Sequence, residues 1–242
     1  MNDLLIYLLK AAMIQCLLPA CYRLLMQRDT FHKMVRFYFM GGLVFSYIAP
    51  LIHFNFRILP PEQNITAVPD IPMIFTVRYQ YAETHHATAQ WWQQYAFTDI
   101  LMTVLVAGMT VMLIRFVIRC LNLRRLHVSQ RFRHGTYSIL NVSMPIKPFS
   151  FGNRIYINAE LHTAKELDEI VRHELVHVNQ RHSIDIILAT VNRIIFWWNP
   201  FVAILNSDIR NNLEYIVDDE MLQNGINRKH YQYSILNISR MT

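Results

Sequence analysis

The sequence predicts a mainly α membrane protein in which three transmembrane helices precede a small α+β domain with a short antiparallel sheet. Two observations carry that expectation. Leu4 to Met26, Phe37 to Phe56 and Phe97 to Ile118 are apolar runs of about the 20 residues needed to cross a hydrocarbon core of roughly 30 Å. Beyond them, Tyr137 to Leu161 is strand-like, and the chain then places apolar residues at helical spacing. A 53% hydrophobic composition over 242 residues suits one membrane unit at 1–122 and one small domain at 123–242 better than two soluble domains.

The first run opens on Met1-Asn2-Asp3, acidic where a signal peptide is basic, and no small-residue cleavage site follows it, so it reads as a span. Lys10 can reach the headgroups with its long stem. Orientation follows from the cations, because short loops rich in Lys and Arg stay cytoplasmic. Arg23, Arg28, Lys33 and Arg36 follow the first span, and Arg115, Arg119, Arg124, Arg125, Arg131 and Arg133 cluster at the end of the third. In the loop at about 57–95, Arg57 and Arg78 are offset by Glu62, Asp70 and Glu83, and Pro60, Pro61, Pro69 and Pro72 suit an irregular outer segment whose return is marked by Trp91 and Trp92. The expectation is a multi-pass protein of the cell inner (cytoplasmic) membrane, with its N-terminus outside and its second domain cytoplasmic.

The net charge of +6 and pI near 9.3 are accounted for by this loop asymmetry, so no direct nucleic-acid partner is expected. Cys16, Cys21 and Cys120 lie in or beside spans and imply no disulfide framework. His85-His86 has no second ligand at helical spacing and reads as plain loop.

Asn153-Arg154-Ile155-Tyr156-Ile157-Asn158 alternates polar and apolar residues, which predicts a half-buried strand; as an edge strand it would align an extended substrate by β-addition. Thr163 with Glu166 is a capping box opening a helix on which Leu167, Val171, Leu175 and Val178 recur as an apolar stripe. That helix carries His173-Glu174-Leu175-Val176-His177. Residues four apart share a helical face, so both imidazoles can reach one Zn²⁺, with the Glu174 carboxylate beside it as general base.

Two histidines leave zinc short of a protein ligand. Glu214 is the best candidate, on a second predicted helix where Arg210, Glu214 and Asp218 share one face and Ile209, Leu213, Ile216 and Val217 form another, with Gly225 as its stop. Asp218, one turn on, can accept a hydrogen bond from a ligand imidazole and fix its tautomer. The intervening apolar stretch, Ile186 to Leu205, must return to the side it left if Glu214 is to meet His173. Asn192, Arg193 and the Asn199-Pro200 break fit a helix packed at the interface or a bent hairpin shallow in the bilayer, with an ordinary buried core helix as the competing interpretation. The residue stabilising an oxyanion stays open among Arg181, His182, His230 and Tyr231.

HELVH followed by Glu-x-x-x-Asp, with Pro148-Phe149-Ser150-Phe151-Gly152 upstream and Trp198-Asn199-Pro200-Phe201 between, resembles the BlaR/MecR-type integral-membrane metallopeptidases, which are gluzincins. The resemblance covers about 145–225. It implies a zincin-like domain with His173, His177 and Glu214 as zinc ligands, Glu174 as general base and Asp218 supporting a ligand. It further implies a signalling protease that cleaves a cytoplasmic transcriptional repressor, or itself. Members sensing β-lactams carry a penicillin-binding domain after a fourth span; this sequence shows neither, so a β-lactam sensor role is not expected of it. The chain reads either as a fragment of a longer protein or as a minimal member, and the outer loop is the remaining candidate sensor. The same zinc signature suits a quality-control or CAAX-processing-like protease, and a catalytically silent transducer is the non-enzyme alternative. The residues do not address oligomeric state.

Overall fold

The computed structural model describes residues 2–28, 30–52, 88–126 and 128–223. The outer loop up to 87, the His85-His86 pair, Gly225, His230 and Tyr231 lie outside these residues. Among those described, three helices are long and apolar enough to cross a membrane, at Asp3–Met26, His32–Leu51 and Phe97–Leu123.

Helix α1, Asn2–Cys21, runs on through a π-helical turn at Tyr22–Met26. Helix α2, His32–Ile48, starts five residues earlier than hydropathy indicates, because Lys33 and Arg36 belong to its first turns. Arg36 is tolerated there by the partners it finds: Nη2 donates to the Gln180 carbonyl at 2.9 Å and to Asp185 Oδ2 at 2.7 Å. Helix α3, Thr88–Arg124, exceeds its apolar run at both ends; that run, with Ile100, Val104, Val111 and Ile114, is exposed along its length, as a lipid-facing surface must be.

Four strands follow: β1 (Val128–His134), β2 (Tyr137–Val142), β3 (Phe149–Phe151) and β4 (Arg154–Ile157). Their order is β1-β2-β4-β3, antiparallel at the flanks and parallel between β2 and β4, so the short sheet is mixed. The Asn153–Asn158 segment forms β4, but as an interior strand between β2 and β3, with Ile155, Tyr156 and Ile157 all buried. Both its ladders are filled, so it cannot accept a further strand. β3, at the sheet edge and packed on the next helix, holds the position expected of β4.

Helix α4 (Ala164–Asn179) opens with the capping box: Glu166 N–H donates to Thr163 Oγ1 at 3.4 Å, and Thr163 N–H to Glu166 Oε2 at 2.9 Å. Its inward face is Ile170, Glu174, Val176 and Val178, so of the expected stripe only Val178 is buried, and Leu167, Val171 and Leu175 are half-buried beside it. Helices α5 (His182–Ile195) and α6 (Pro200–Gln223) are joined by a turn in which Asn199 Oδ1 accepts from Phe201 N–H. Proline at the first position of α6 loses no intrahelical bond.

The stretch at 186–205 is therefore a hairpin of two helices, and its contacts show where it goes. Asp185 meets Arg36, Asn192 meets Gln15 (3.1 Å) and Tyr47 (2.6 Å), Asn199 Nδ2 donates to the Ala12 carbonyl, and Asp208 meets Arg23 at 2.9 Å. The hairpin enters beside the charged ends of α1 and α2, follows them inward and returns. The core is shared: Leu18, Tyr22, Val35, Phe39 and Leu43 pack with Ala189, Leu205, Ile209, Leu213 and Ile216. α3 docks by Trp197, whose Nε1 donates to the Leu105 carbonyl and whose ring lies where a Cβ at position 108 would be; only glycine fits at Gly108.

Candidate active site

Helix α4 supplies three residues of the HELVH motif on adjoining faces. Glu174 is turned inward and 7% exposed, while His173 and His177 face α6, their ring centroids 5.2 Å apart. On α6, buried Leu213, Ile216 and Val217 fix the rotation that points Glu214 at the two imidazoles. His173 Nε2 lies 3.4 Å and His177 Nε2 3.7 Å from Glu214 Oε2, and the ligand-capable atoms all fall within 4.8 Å of one another. The three residues expected to converge thus do so, from two helices.

Ligand atoms about 2.0–2.1 Å from a tetrahedral zinc stand about 3.3–3.4 Å from each other. The two imidazole–carboxylate separations match or slightly exceed that spacing. Two imidazole nitrogens and one carboxylate oxygen, with the carboxylate side chain 56% exposed, form the three-ligand open site associated with hydrolytic rather than structural zinc.

Charge at the site is arranged around the same atoms. Burial works against the His173 imidazolium, but the Glu214 hydrogen bond and the charges of Glu174, Glu214 and Asp218 outweigh it and hold its pKa above the ordinary value. Burial likewise opposes ionisation of Glu214, and the hydrogen bond from His173 with the nearby His177 imidazole overcomes that, holding its carboxyl well below the usual range. Asp218 sits one turn beyond Glu214 and its charge acts on His173. Arg210 turns away from Glu214 toward Asn206 Oδ1 at 3.0 Å.

One participant was not legible in its role. His182, considered from sequence as an oxyanion donor, is fully buried, with Nδ1 2.9 Å from His177 Nδ1. Burial, with the His177 and Arg36 charges, drives its pKa down to about 3, so it is neutral. The cause is Arg181, whose left-handed backbone (φ 55°) breaks α4 from α5 and folds His182 back on His177. No glycine marks that turn in the sequence. Arg181 itself is exposed.

No curated protein matches the chain. Residues 11–241 match the family described as BlaR1 peptidase M56, extending the likeness from the motif block to nearly the whole sequence. With its apolar helices and a His/Glu cluster of metal-binding geometry, this chain belongs to the BlaR1 peptidase M56 family of membrane metallopeptidases.

Proposed function

We propose that this protein is a zinc metalloendopeptidase that cleaves peptide bonds of a protein substrate at the cytoplasmic face of the cell inner membrane. The observation that carries the reading is the convergence of His173, His177 and Glu214 beside the inward-turned Glu174. Zinc held by those three residues would polarise the scissile carbonyl and lower the pKa of water at the site. Glu174 takes the proton of the attacking water and delivers it to the departing amine, so base and acid are one carboxylate used twice. Its shielding from solvent strengthens that exchange, because competing water is excluded from the proton's path. The edge strand β3 aligns an extended substrate by backbone hydrogen bonds next to α4.

The cytoplasmic assignment rests on the charged helix ends. Arg23, Arg36 and the arginine-rich end of α3 would face the cytoplasm, and the contacts of Arg23 with Asp208 on α6 and of Arg36 with the Gln180 carbonyl at the end of α4 put the site-bearing helices at those ends. The rise from Ala12 to Arg23 is about 16 Å, so the α5–α6 hairpin would reach about halfway into a 30 Å core. The family's BlaR1-type character supports signal transduction, with a cytoplasmic transcriptional repressor or the chain itself as substrate.

The test is the full chain in nanodiscs with Glu174→Gln. The variant should bind zinc as the wild type does and lose at least about 100-fold in cleavage rate. Proteomics of cells carrying either form should show one repressor, or the chain's own fragments, accumulating uncut in the variant. Wild-type cleavage by Glu174→Gln sinks the mechanism; many misfolded membrane proteins among the substrates would replace signalling by quality control.

A further inference from the structure

The bond between His177 and His182 is the first link of a longer chain. His182 Nε2 lies 3.2 Å from Gln180 Oε1, and Gln180 Nε2 donates to Glu220 Oε2. Each link joins a different element: His177 on α4, Gln180 in the turn, His182 at the start of α5, Glu220 on α6. The turn itself is pinned, since the Gln180 carbonyl accepts from Arg36 of α2.

The directions of these bonds follow from one condition. His177 turns Nε2 toward Glu214, so a metal there takes the Nε2 lone pair and leaves the proton on Nδ1. Nδ1–H must then donate to His182 Nδ1, which puts the His182 proton on Nε2. That N–H donates to Gln180 Oε1, and the amide nitrogen donates to the Glu220 carboxylate. Every donor meets an acceptor along the chain. Metal-bound histidines usually hand their second N–H directly to a carboxylate, carbonyl or water, which sets ring orientation and raises ligand basicity. Here the carboxylate is reached through two neutral groups.

We infer that His182, Gln180 and Glu220 form a hydrogen-bond relay that positions His177 for metal binding and selects its Nδ1–H tautomer, making His182 a positioning residue of the site. The inference rests on the metal-site reading proposed above. It also explains why a fully buried imidazole occupies a place that an apolar side chain could fill.

The full chain in nanodiscs is titrated with zinc alone, in competition with a chromophoric chelator, and metal-free thermal stability is followed in parallel. His182→Phe, which keeps the bulk and removes both polar atoms, should weaken zinc binding by about 10–100-fold. His182→Gln offers an acceptor and a donor at nearly the imidazole spacing and should stay within about threefold of wild type, while Gln180→Met should lose about 3–10-fold. A folded His182→Phe with wild-type zinc affinity overturns the relay, as does a His182→Gln variant as weak as His182→Phe. If His182→Phe does not fold, unchanged affinity in Gln180→Met overturns it. A wild type without zinc, or zinc binding untouched by His177→Ala, removes the metal site and the relay together; loss of the relay alone leaves the wild-type affinity and its dependence on His177 intact.

Discussion

At the scale of single residues, the site is a balance between burial and charge, and its pH dependence has a defined sign. In the metal-free chain His173 is held protonated above the ordinary imidazole value of 6.5 and Glu214 ionised below the ordinary carboxyl value of 4.5. Their mutual attraction is therefore fully present between those two values. It fades as pH rises through the raised His173 pKa and as pH falls through the depressed Glu214 pKa. Zinc bound as proposed would have to displace the His173 proton, so its affinity should rise by about tenfold per pH unit until that pKa is passed, with proton release detectable by calorimetry in buffers of different ionisation enthalpy. A flat affinity between pH 5 and 7 would contradict the assignment of His173 as a ligand. The convergence of His173, His177 and Glu214 was legible from HELVH and the spaced Glu, because helical periodicity converts sequence spacing into direction. His182 was not legible in its role, since its contact depends on a left-handed arginine that no local propensity announces.

Elements were legible to the degree that their signals are local. The capping box, the two motif helices and the three apolar runs appear where periodicity and hydropathy put them. The start of α2 differs because Arg36 is stabilised by Asp185, a partner far away in sequence. β4 differs because alternation reports the pleat of a strand but not which neighbours flank it. Two experiments address elements directly. Arg181→Gly should be tolerated, because it relieves the cost of about 1–2 kcal/mol that a left-handed L-residue carries, whereas Arg181→Val, β-branched where the arginine already bears that cost, should lower stability further in chemical denaturation and loosen the α4–α5 break. Asn192→Leu strips the partner shared by Gln15 and Tyr47 inside the helix cluster and should cost about 1–2 kcal/mol of unfolding free energy in mixed micelles.

At the scale of the whole molecule, the apolar helices α1 and α2 and the later helices α5 and α6 are far apart in sequence and interlocked in space. The buried residues of α1 and α2 find their packing partners on α5 and α6, so one core serves both. The proposed orientation has a direct readout. In sealed inside-out vesicles, protease should reach the segment from 128 to 161, and in right-side-out vesicles it should not; the opposite pattern would invert the topology.

Glu214 stands on the same unbroken helix as Pro200, the residue that begins the return of the hairpin. The rise between them is about 21 Å, and a rod of that length tilted by about 5° displaces its far end by about 2 Å, several times the roughly 0.2 Å that a metal–ligand distance tolerates. With a metal held as proposed, pressure on the buried tip, whether from lipid or a neighbouring helix, would be felt as a change in the grip on that ion.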